Sequence, residues 1–157
     1  MREARREDLP QLLDMMEEFY AEAGYVLDRR EARSSFLTLL DEPRLGRMWL
    51  AERGADAAGY VVVTFVFAME HGGTLGVVDD FFVRRGSRGA GLGSALLAAV
   101  RSACAALGVR ALRVEVGHDN APAQAVYRSA GFETLERRLM VARLDEPARP
   151  GRRAARD

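Results

Sequence analysis

Residues 84–94 have the sequence RRGSRGAGLGS, which places four glycines and three arginines within eleven positions. They follow the apolar run 76–83 (GVVDDFFV) and lead into 95–100 (ALLAAV), an order that predicts strand, turn and helix. The first-turn N–H groups of a helix lack partners and bind anions, and glycines let a ligand approach the main chain closely. The stretch therefore predicts a phosphate-binding turn.

The spacing of these glycines narrows the choice of ligand. A P-loop needs the pattern GxxxxGK[ST], but all 23 basic residues are arginine, so no lysine is available. The dinucleotide-binding pattern GxGxxG is poorly matched, because readings from Gly89 and from Gly91 both lack the last glycine. The remaining spacing is Arg-x-x-Gly-x-Gly, which Arg88, Gly91 and Gly93 satisfy.

The composition predicts one globular domain. The chain has 157 residues, of which 48% are hydrophobic, and 23 basic residues balance 23 acidic ones. This balance excludes a disordered chain and a broadly basic nucleic-acid-binding protein. Residues 1–145 are expected to form the domain, and residues 146–157, rich in arginine and proline, a disordered tail.

The chain offers few residues for metals or disulfides. It has one cysteine, Cys104, and two histidines, His71 and His118, so a disulfide framework is excluded and no metal site is predicted. No run of about 18 apolar residues is present, and the start MREARREDLP lacks the apolar core of a signal peptide. We therefore expect a cytoplasmic protein with no membrane contact.

Alternating helical and strand patterns predict an α/β fold. Apolar residues recur at helical spacing in four segments, which lie between Asp8 and Gly24, after Asp28, from Gly91 to Gly108, and from Ala121 to Ala130. Asp8 and Asp28 are the predicted helix caps. Strands are predicted at 2–4, 47–52, 58–68, 74–83, 111–116, 134–136 and 139–144. Together they predict a mixed sheet with helices on both faces.

A second block, residues 114–132 (VEVGHDNAPAQAVYRSAGF), follows the glycine turn after one helix. Together with the turn RGAGLG, it resembles the GNAT superfamily of N-acetyltransferases. Asn120, Tyr127 and the pair at 131–132 stand where that family's pattern has them. The resemblance spans about residues 2–144. It implies an α/β fold with a mixed, largely antiparallel central sheet of six to seven strands.

Different stretches of the sequence resemble two different branches of the family. The stretch DDFFVRRGSRGAGLG is similar to diamine acetyltransferases, and LRVEVGHDNAPAQAVYRSAGF is similar to ribosomal-protein N-terminal acetyltransferases. The resemblance implies direct transfer of an acetyl group from acetyl-CoA to a primary amine, in a small molecule such as a polyamine or at a protein N-terminus. In that reaction Tyr127 is implied as the acid that protonates the departing CoA thiolate.

The base that deprotonates the amine has two candidates, Glu115 and Asp79. Glu115 matches the glutamate base of the N-terminal acetyltransferases, and Asp79 matches an acidic residue beside the substrate amine in the diamine enzymes. Glu115 lies within a predicted apolar strand, where a carboxylate is costly unless it is used or paired. Strand alternation places Asp79 on one face with Phe81, while Asp80 faces the other way.

The implied cofactor contacts come from both blocks. The backbone of residues 81–83 pairs with the pantetheine arm, the amides of residues 89–94 surround the pyrophosphate, and Asn120 binds the pantetheine or caps the following helix. The residues expected to bind acetyl-CoA are Phe81, Phe82, Val83, Arg88, Gly89, Ala90, Gly91, Leu92, Gly93, Ser94 and Asn120.

Acceptor contacts are implied on the first helix and on the turn near residue 70, through Tyr20, Glu22, Glu70 and His71. The acidic face of the first helix suggests a cationic amine, although a solvated helix face is the commoner explanation for such a pattern. A catalytically silent acyl-CoA-binding module is the alternative function, and the resemblance allows a homodimer. Nucleic acid is not an expected partner.

Overall fold

The computed structural model describes residues 1–54, 56–142 and 144. Its elements in chain order are β1 (Arg2–Glu3), α1 (Leu9–Glu22), α2 (Arg29–Asp41), β2 (Gly46–Arg53), β3 (Asp56–Ala68), β4 (Gly73–Val83), α3 (Leu92–Ala106), β5 (Ala111–Val114) and α4 (Ala121–Ser129). Short 3₁₀ turns occupy Arg6–Asp8, Met69–His71 and Arg85–Ser87. The four predicted helices and the first five predicted strands are therefore confirmed.

The described strands form one sheet in the order β1-β2-β3-β4-β5. The first four strands are antiparallel, and β5 runs parallel to β4. This confirms a mixed, largely antiparallel sheet. The prediction of six to seven strands is wrong, since the described part of the chain contains five.

Helices cover both faces of the sheet, so the central strand β3 is buried on both sides. Tyr60 and Val62 pack in a core with α1 and α2, whereas Val61 and Val63 pack in a second core with α3. Cys104 lies in this second core as predicted, and burial raises the pKa of its thiol to about 11.

Asp8 precedes α1 but its side chain does not cap the helix, which corrects the predicted role. Its carboxylate instead accepts hydrogen bonds from the Arg2 guanidinium, at 2.7 Å to each oxygen, and from the Arg5 amide at 2.7 Å. The hydrogen bonds from Arg2 lower the pKa of this buried carboxyl, against the opposing effect of burial. The pair ties β1 to the start of α1. Asp28 does cap α2, accepting the amides of Arg30 and Glu31.

A bulge interrupts the pairing of β3 with β4. Val63 pairs with Val78, but the next residue back, Val62, pairs with Asp80. Asp79 is therefore an extra residue without a partner on β3. Because Asp80 pairs with Val62, it lies on the face covered by α1 and α2.

The sheet separates beyond this bulge. β5 pairs with β4 only over four residues, ending at Val78 opposite Val114. β4 continues to Val83, so residues 79–83 have no strand beside them on the β5 side among the described residues. We call this region the β4–β5 gap. Its edge carries backbone N–H and C=O groups that a ligand could pair with.

Neither of the two predicted C-terminal strands forms within the described residues. Residues 133–142 and 144 form neither helix nor strand, and residue 143 lies outside the described part. The Arg137 amide donates to the Leu135 carbonyl at 2.9 Å, which makes a three-residue turn at the end of the first of these predicted strands. The Arg137 guanidinium contacts Glu70 at 3.3 Å. The predicted boundary at 145 and the tail 146–157 also lie outside the described residues and stay predictions.

Candidate active site

The glycine turn lies at the end of β4 and leads directly into α3. Gly89 and Gly91 have φ values of +82° and +77°, a left-handed conformation that favours glycine. Gly91 is also the capping residue of α3, so no side chain covers the first-turn amides from this position. Gly93 packs so close to Phe81 that an added Cβ would lie 3.2 Å from the ring. The turn thus presents main-chain donors beside the β4–β5 gap.

The arginines of the turn point toward α1. Arg84 donates to the Glu18 carboxylate at 3.0 Å and to the Ala57 carbonyl at 2.9 Å. Arg85 donates to Glu22, the last residue of α1, at 3.2 Å. The turn is therefore attached to α1 by ion pairs, and Arg84 is a paired residue.

Arg88, expected beside the pyrophosphate, has three contacts in the structure. Its Nε donates to the Val83 carbonyl at 2.7 Å, and its terminal amino group donates to Glu22 at 2.8 Å. Its guanidinium also lies 5.5 Å from the centre of the Phe82 ring. The orientation of Arg88 is thus fixed by groups from β4 and α1.

Asp80 is the most strongly perturbed carboxylate of this region. The Tyr60 hydroxyl donates a hydrogen bond to it at 3.1 Å. Burial, and then the charge of Asp79, raise the pKa of Asp80 to about 6, while the Tyr60 hydrogen bond opposes the shift. Burial and the charge of Asp80 also raise the pKa of Tyr60 well above its usual value. Such a carboxyl exchanges its proton close to neutral pH.

Tyr127 lies on α4 and packs against the far side of the gap. Its ring centre is 5.7 Å from that of Phe81 and 5.5 Å from that of Phe132. Burial, followed by the charge of Asp80, raises the pKa of Tyr127 to about 12. Tyr127 is therefore a phenol that keeps its proton, within electrostatic reach of Asp80.

The two predicted bases have different surroundings. Asp79 is exposed at the bulge, and strand alternation does not extend through it, because it has no partner on β3. Its charge reaches Asp80 and Tyr60, so it lies near the site. Glu115 is exposed one residue beyond the end of β5, so the prediction that it lies within an apolar strand is wrong.

Asn120 caps α4, as the sequence suggested. Its side-chain oxygen accepts the Ala123 amide at 3.2 Å. The Gln124 side chain holds the preceding loop by donating to the carbonyls of Gly117 and His118, at 2.9 and 3.1 Å. These bonds fix the loop between β5 and α4, the helix that carries Tyr127.

The predicted acceptor contacts fall into two separate regions. Tyr20 stacks edge-on against Tyr25, with ring centres 5.9 Å apart, and it is one of the groups that raise the pKa of Tyr60, so it lies on the Asp80 side. Glu70 and His71 precede β4 at its opposite end. Asp80 lies seven positions after Gly73 along β4, which is roughly 23 Å at the usual rise per residue of a strand. The structure does not bring Glu70 and His71 together with the gap.

Sequence reasoning missed the pairing of Asp80 with Tyr60. The available signal was the pair of acidic residues at 79–80 in an apolar strand. Adjacent strand residues point to opposite faces, so one of the two carboxylates must face a covered side and find a polar partner there, unless a bulge intervenes. Within the described ranges, no group of three or more His, Cys, Asp or Glu side chains could hold a metal ion. None of the described helices is both long and apolar enough to cross a membrane.

Fold and site together define an α/β protein with a sheet that separates between two parallel strands and a glycine-opened helix beside the separation. The family model described as Acetyltransferase (GNAT) family matches residues 9–132. The chain therefore belongs to the acetyltransferase (GNAT) family, which confirms the predicted resemblance. Membership classes it with acetyl-CoA-dependent enzymes.

One curated relative and one solved structure are similar to this chain at 40% identity or more. The mycothiol acetyltransferase of Streptomyces bingchenggensis (strain BCW-1) is 40% identical over 112 residues, covering 66% of this chain and 35% of that protein. The chain thus spans about a third of the length of this curated relative. An integron cassette protein from the mobile metagenome of Cole Harbour Salt Marsh is 46% identical, with a TM-score of 0.85 over 93% of this chain and 91% of that one.

A more distant structure supports the fold alone. The predicted acetyltransferase of Clostridium acetobutylicum, crystallised with acetyl-CoA, is 18% identical to this chain. Its TM-score is 0.76 over 90% of this chain and 94% of its own. The described architecture is thus shared with a protein that holds acetyl-CoA.

Proposed function

We propose that the protein transfers the acetyl group of acetyl-CoA directly to a primary amine at the β4–β5 gap. The observation that carries this proposal is the placement of Tyr127 within electrostatic reach of the Asp80 carboxylate. The first has a pKa of about 6 and the second of about 12. A carboxylate that takes a proton near neutral pH and a phenol that retains one are the two groups that amine acylation requires.

Acetyl-CoA supplies an activated thioester, and the residues present fit its diphosphate and its pantetheine arm. The start of α3, which no side chain caps, and the backbone amides of residues 89–94 would hold the diphosphate. The unpaired edge of β4 at residues 81–83 would pair with the amides of the pantetheine arm, and Asn120 lies on the loop opposite. Bringing thioester and amine together supplies much of the rate enhancement.

Asp80 is the base that we favour, because its pKa lies near the working pH and its position is fixed by Tyr60. It would accept the proton of the attacking amine, directly or through a water. Asp79 and Glu115, the bases predicted from the sequence, remain alternatives. Asp79 and Glu115 are both exposed. Replacing each of the three carboxylates in turn therefore shows which of them accepts the proton of the amine.

Tyr127 would donate its hydroxyl proton to the sulfur of the departing thiolate and regain a proton from solvent. The acceptor is proposed to be a primary amine of a small molecule or of a protein N-terminus, with Tyr20 as a contact. The name of the mycothiol acetyltransferase relative supports acetyl transfer as the reaction. A homodimer and a cytoplasmic location stay predictions.

The test measures release of CoA thiol from acetyl-CoA in the presence of polyamines, amino acids, aminoglycosides and short peptides. The proposal expects release with at least one amine, and loss of that release in Asp80→Asn. Binding of acetyl-CoA without thiol release from any amine would instead favour the catalytically silent module. Full activity of Asp80→Asn together with loss in Glu115→Gln or Asp79→Asn would move the base to that residue.

A further inference from the structure

Glu22, the last residue of α1, joins two arginines of the glycine turn through one carboxylate. Its Oε1 accepts from the Arg85 Nε at 3.2 Å, and its Oε2 accepts from an Arg88 terminal nitrogen at 2.8 Å. These residues lie 63 and 66 positions away from Glu22 in the chain. Each carboxylate oxygen therefore serves one guanidinium.

Both guanidinium groups keep unused donors in this arrangement. A guanidinium has five N–H donors, and Arg85 uses only its Nε toward Glu22 among the described residues. Arg88 uses its Nε for the Val83 carbonyl and one terminal nitrogen for Glu22, which leaves the other terminal nitrogen without an acceptor in the described part of the chain. Two cations against one carboxylate also leave a net positive charge.

Both arginines belong to the glycine turn, and Arg88 lies three residues before Gly91, the residue that caps α3. We propose that Glu22 is a positioning residue that holds Arg85 and Arg88 toward a phosphate group of CoA, either the diphosphate or the ribose 3′-phosphate. The inference rests on the proposed function, because it takes acetyl-CoA as the ligand. It gives Glu22 a different task from the acceptor contact predicted from the sequence.

The nearby carboxylate Glu18 does not share this role. It accepts from the Arg84 Nε and lies 2.9 Å from an Arg84 terminal nitrogen, and the remaining terminal nitrogen donates to the Ala57 carbonyl. Each of the three Arg84 nitrogens therefore has an acceptor, and together they join β3, the turn and α1. Among the arginines of the turn, Arg85 and Arg88 are the two that keep a nitrogen without an acceptor in the described part of the chain.

Removing the Glu22 charge has two opposite effects on phosphate binding. The loss of an exposed negative charge slightly favours an anion, but water and salt screen that effect. The loss of the tether releases two long side chains, which must then be ordered when the phosphate binds. We expect the second effect to be larger, so CoA binds more weakly without Glu22.

The test is isothermal titration of the full chain with CoA, dephospho-CoA and pantetheine, for wild type, Glu22→Gln and the control Glu17→Gln. Glu17 is also an α1 carboxylate paired with an arginine, Arg29, but that pair lies outside the turn. Glu22→Gln is expected to weaken CoA binding about tenfold, leaving pantetheine binding within about twofold, and Glu17→Gln to match wild type. A weakening that disappears with dephospho-CoA assigns the arginines to the 3′-phosphate, and one that persists assigns them to the diphosphate.

A second variant separates positioning from general damage. In an Arg88→Ala background, Glu22→Gln is expected to cost less than about threefold, because one of the two side chains that it holds is gone. Unchanged or tighter CoA binding by Glu22→Gln overturns the inference, as does an equal loss with pantetheine. A raised KM for the amine with unchanged CoA affinity returns Glu22 to the acceptor. Failure of wild type to bind CoA is a different result, which overturns the proposed function itself.

Discussion

The Tyr60 hydroxyl, on β3, donates a hydrogen bond of 3.1 Å to Asp80 on β4, directly beside the bulge at Asp79. This bond lowers the pKa of Asp80, whereas burial and the charge of Asp79 raise it. Two neighbours thus act on one carboxyl in opposite directions. Their removal should move the pH dependence of the reaction in opposite directions as well.

The first prediction concerns the acidic side of the pH–rate profile. Tyr60→Phe removes the bond that stabilises the charged carboxylate, so the pKa of Asp80 rises and activity is lost at a higher pH than in wild type. Asp79→Asn removes a neighbouring negative charge, so the same limb moves to lower pH. The measurement is kcat/KM against pH, which reports groups of the free enzyme. A shift of both variants in the same direction would show that Asp80 does not set this limb.

The second prediction concerns stability, because Asp80 titrates higher in the folded chain than at its ordinary value near 3.8. Between pH 4 and 6 the folded protein then binds more protons than the unfolded one, so its free energy of unfolding falls as pH rises through this window. Asp80→Asn should remove this fall, which is of the order of 2–3 kcal/mol for a shift of about two units. Urea unfolding at several pH values measures it.

Glu115→Gln is the control for that experiment, since Glu115 is an exposed carboxylate beyond β5. In this variant the fall in the free energy of unfolding that we assign to Asp80 should persist. Equal slopes for wild type and Asp80→Asn between pH 4 and 6 would mean that Asp80 is already ionised across the window.

The third prediction tests Tyr127 as the acid. Tyr127→Phe keeps the ring contacts with Phe81 and Phe132 but removes the hydroxyl, so folding and CoA affinity should be nearly unchanged. Loss of a general acid should lower kcat by about 10²-fold or more. Steady-state thiol release and CoA titration measure the two quantities separately. A variant with wild-type kcat would remove Tyr127 from the chemistry and leave it as a packing residue.

The sequence predicted the elements whose pattern is local. The apolar spacing from Leu92 onward and the glycines around it predicted α3 and its start, because helix periodicity and positive φ depend only on nearby residues. The bulge at Asp79 was not predicted, since alternation assumes that every residue of a strand has a partner. The extra residue takes Asp79 out of the alternation, whereas Asp80 lies on the face opposite Phe81, as alternation predicted.

Contacts between distant residues were also beyond the sequence pattern. The pairing of Glu22 with Arg85 and Arg88 depends on how α1 crosses the end of β4, which no local rule supplies. The apolar residues near Leu139 predicted a strand, but a strand also needs a neighbour to receive its hydrogen bonds. In the structure Leu139, Met140 and Val141 are exposed instead.

The last prediction concerns the backbone of the glycine turn, where the chain contains its own control. An alanine at Gly91 must adopt a φ of +77°, which costs an L-residue about 1–2 kcal/mol. Gly86 lies in the same turn without a positive φ, and a Cβ added there meets nothing within 4 Å. Both changes reduce the flexibility of the unfolded chain equally, so their difference isolates the conformation at residue 91.

Gly91→Ala should therefore lower the free energy of unfolding by roughly 1–2 kcal/mol relative to Gly86→Ala, measured by urea unfolding. It should also weaken CoA binding, because Gly91 sets the direction in which the first-turn amides of α3 point. Gly86→Ala should bind CoA as wild type does. Equal stability and equal CoA affinity in the two variants would mean that the left-handed turn at Gly91 is not what holds the phosphate.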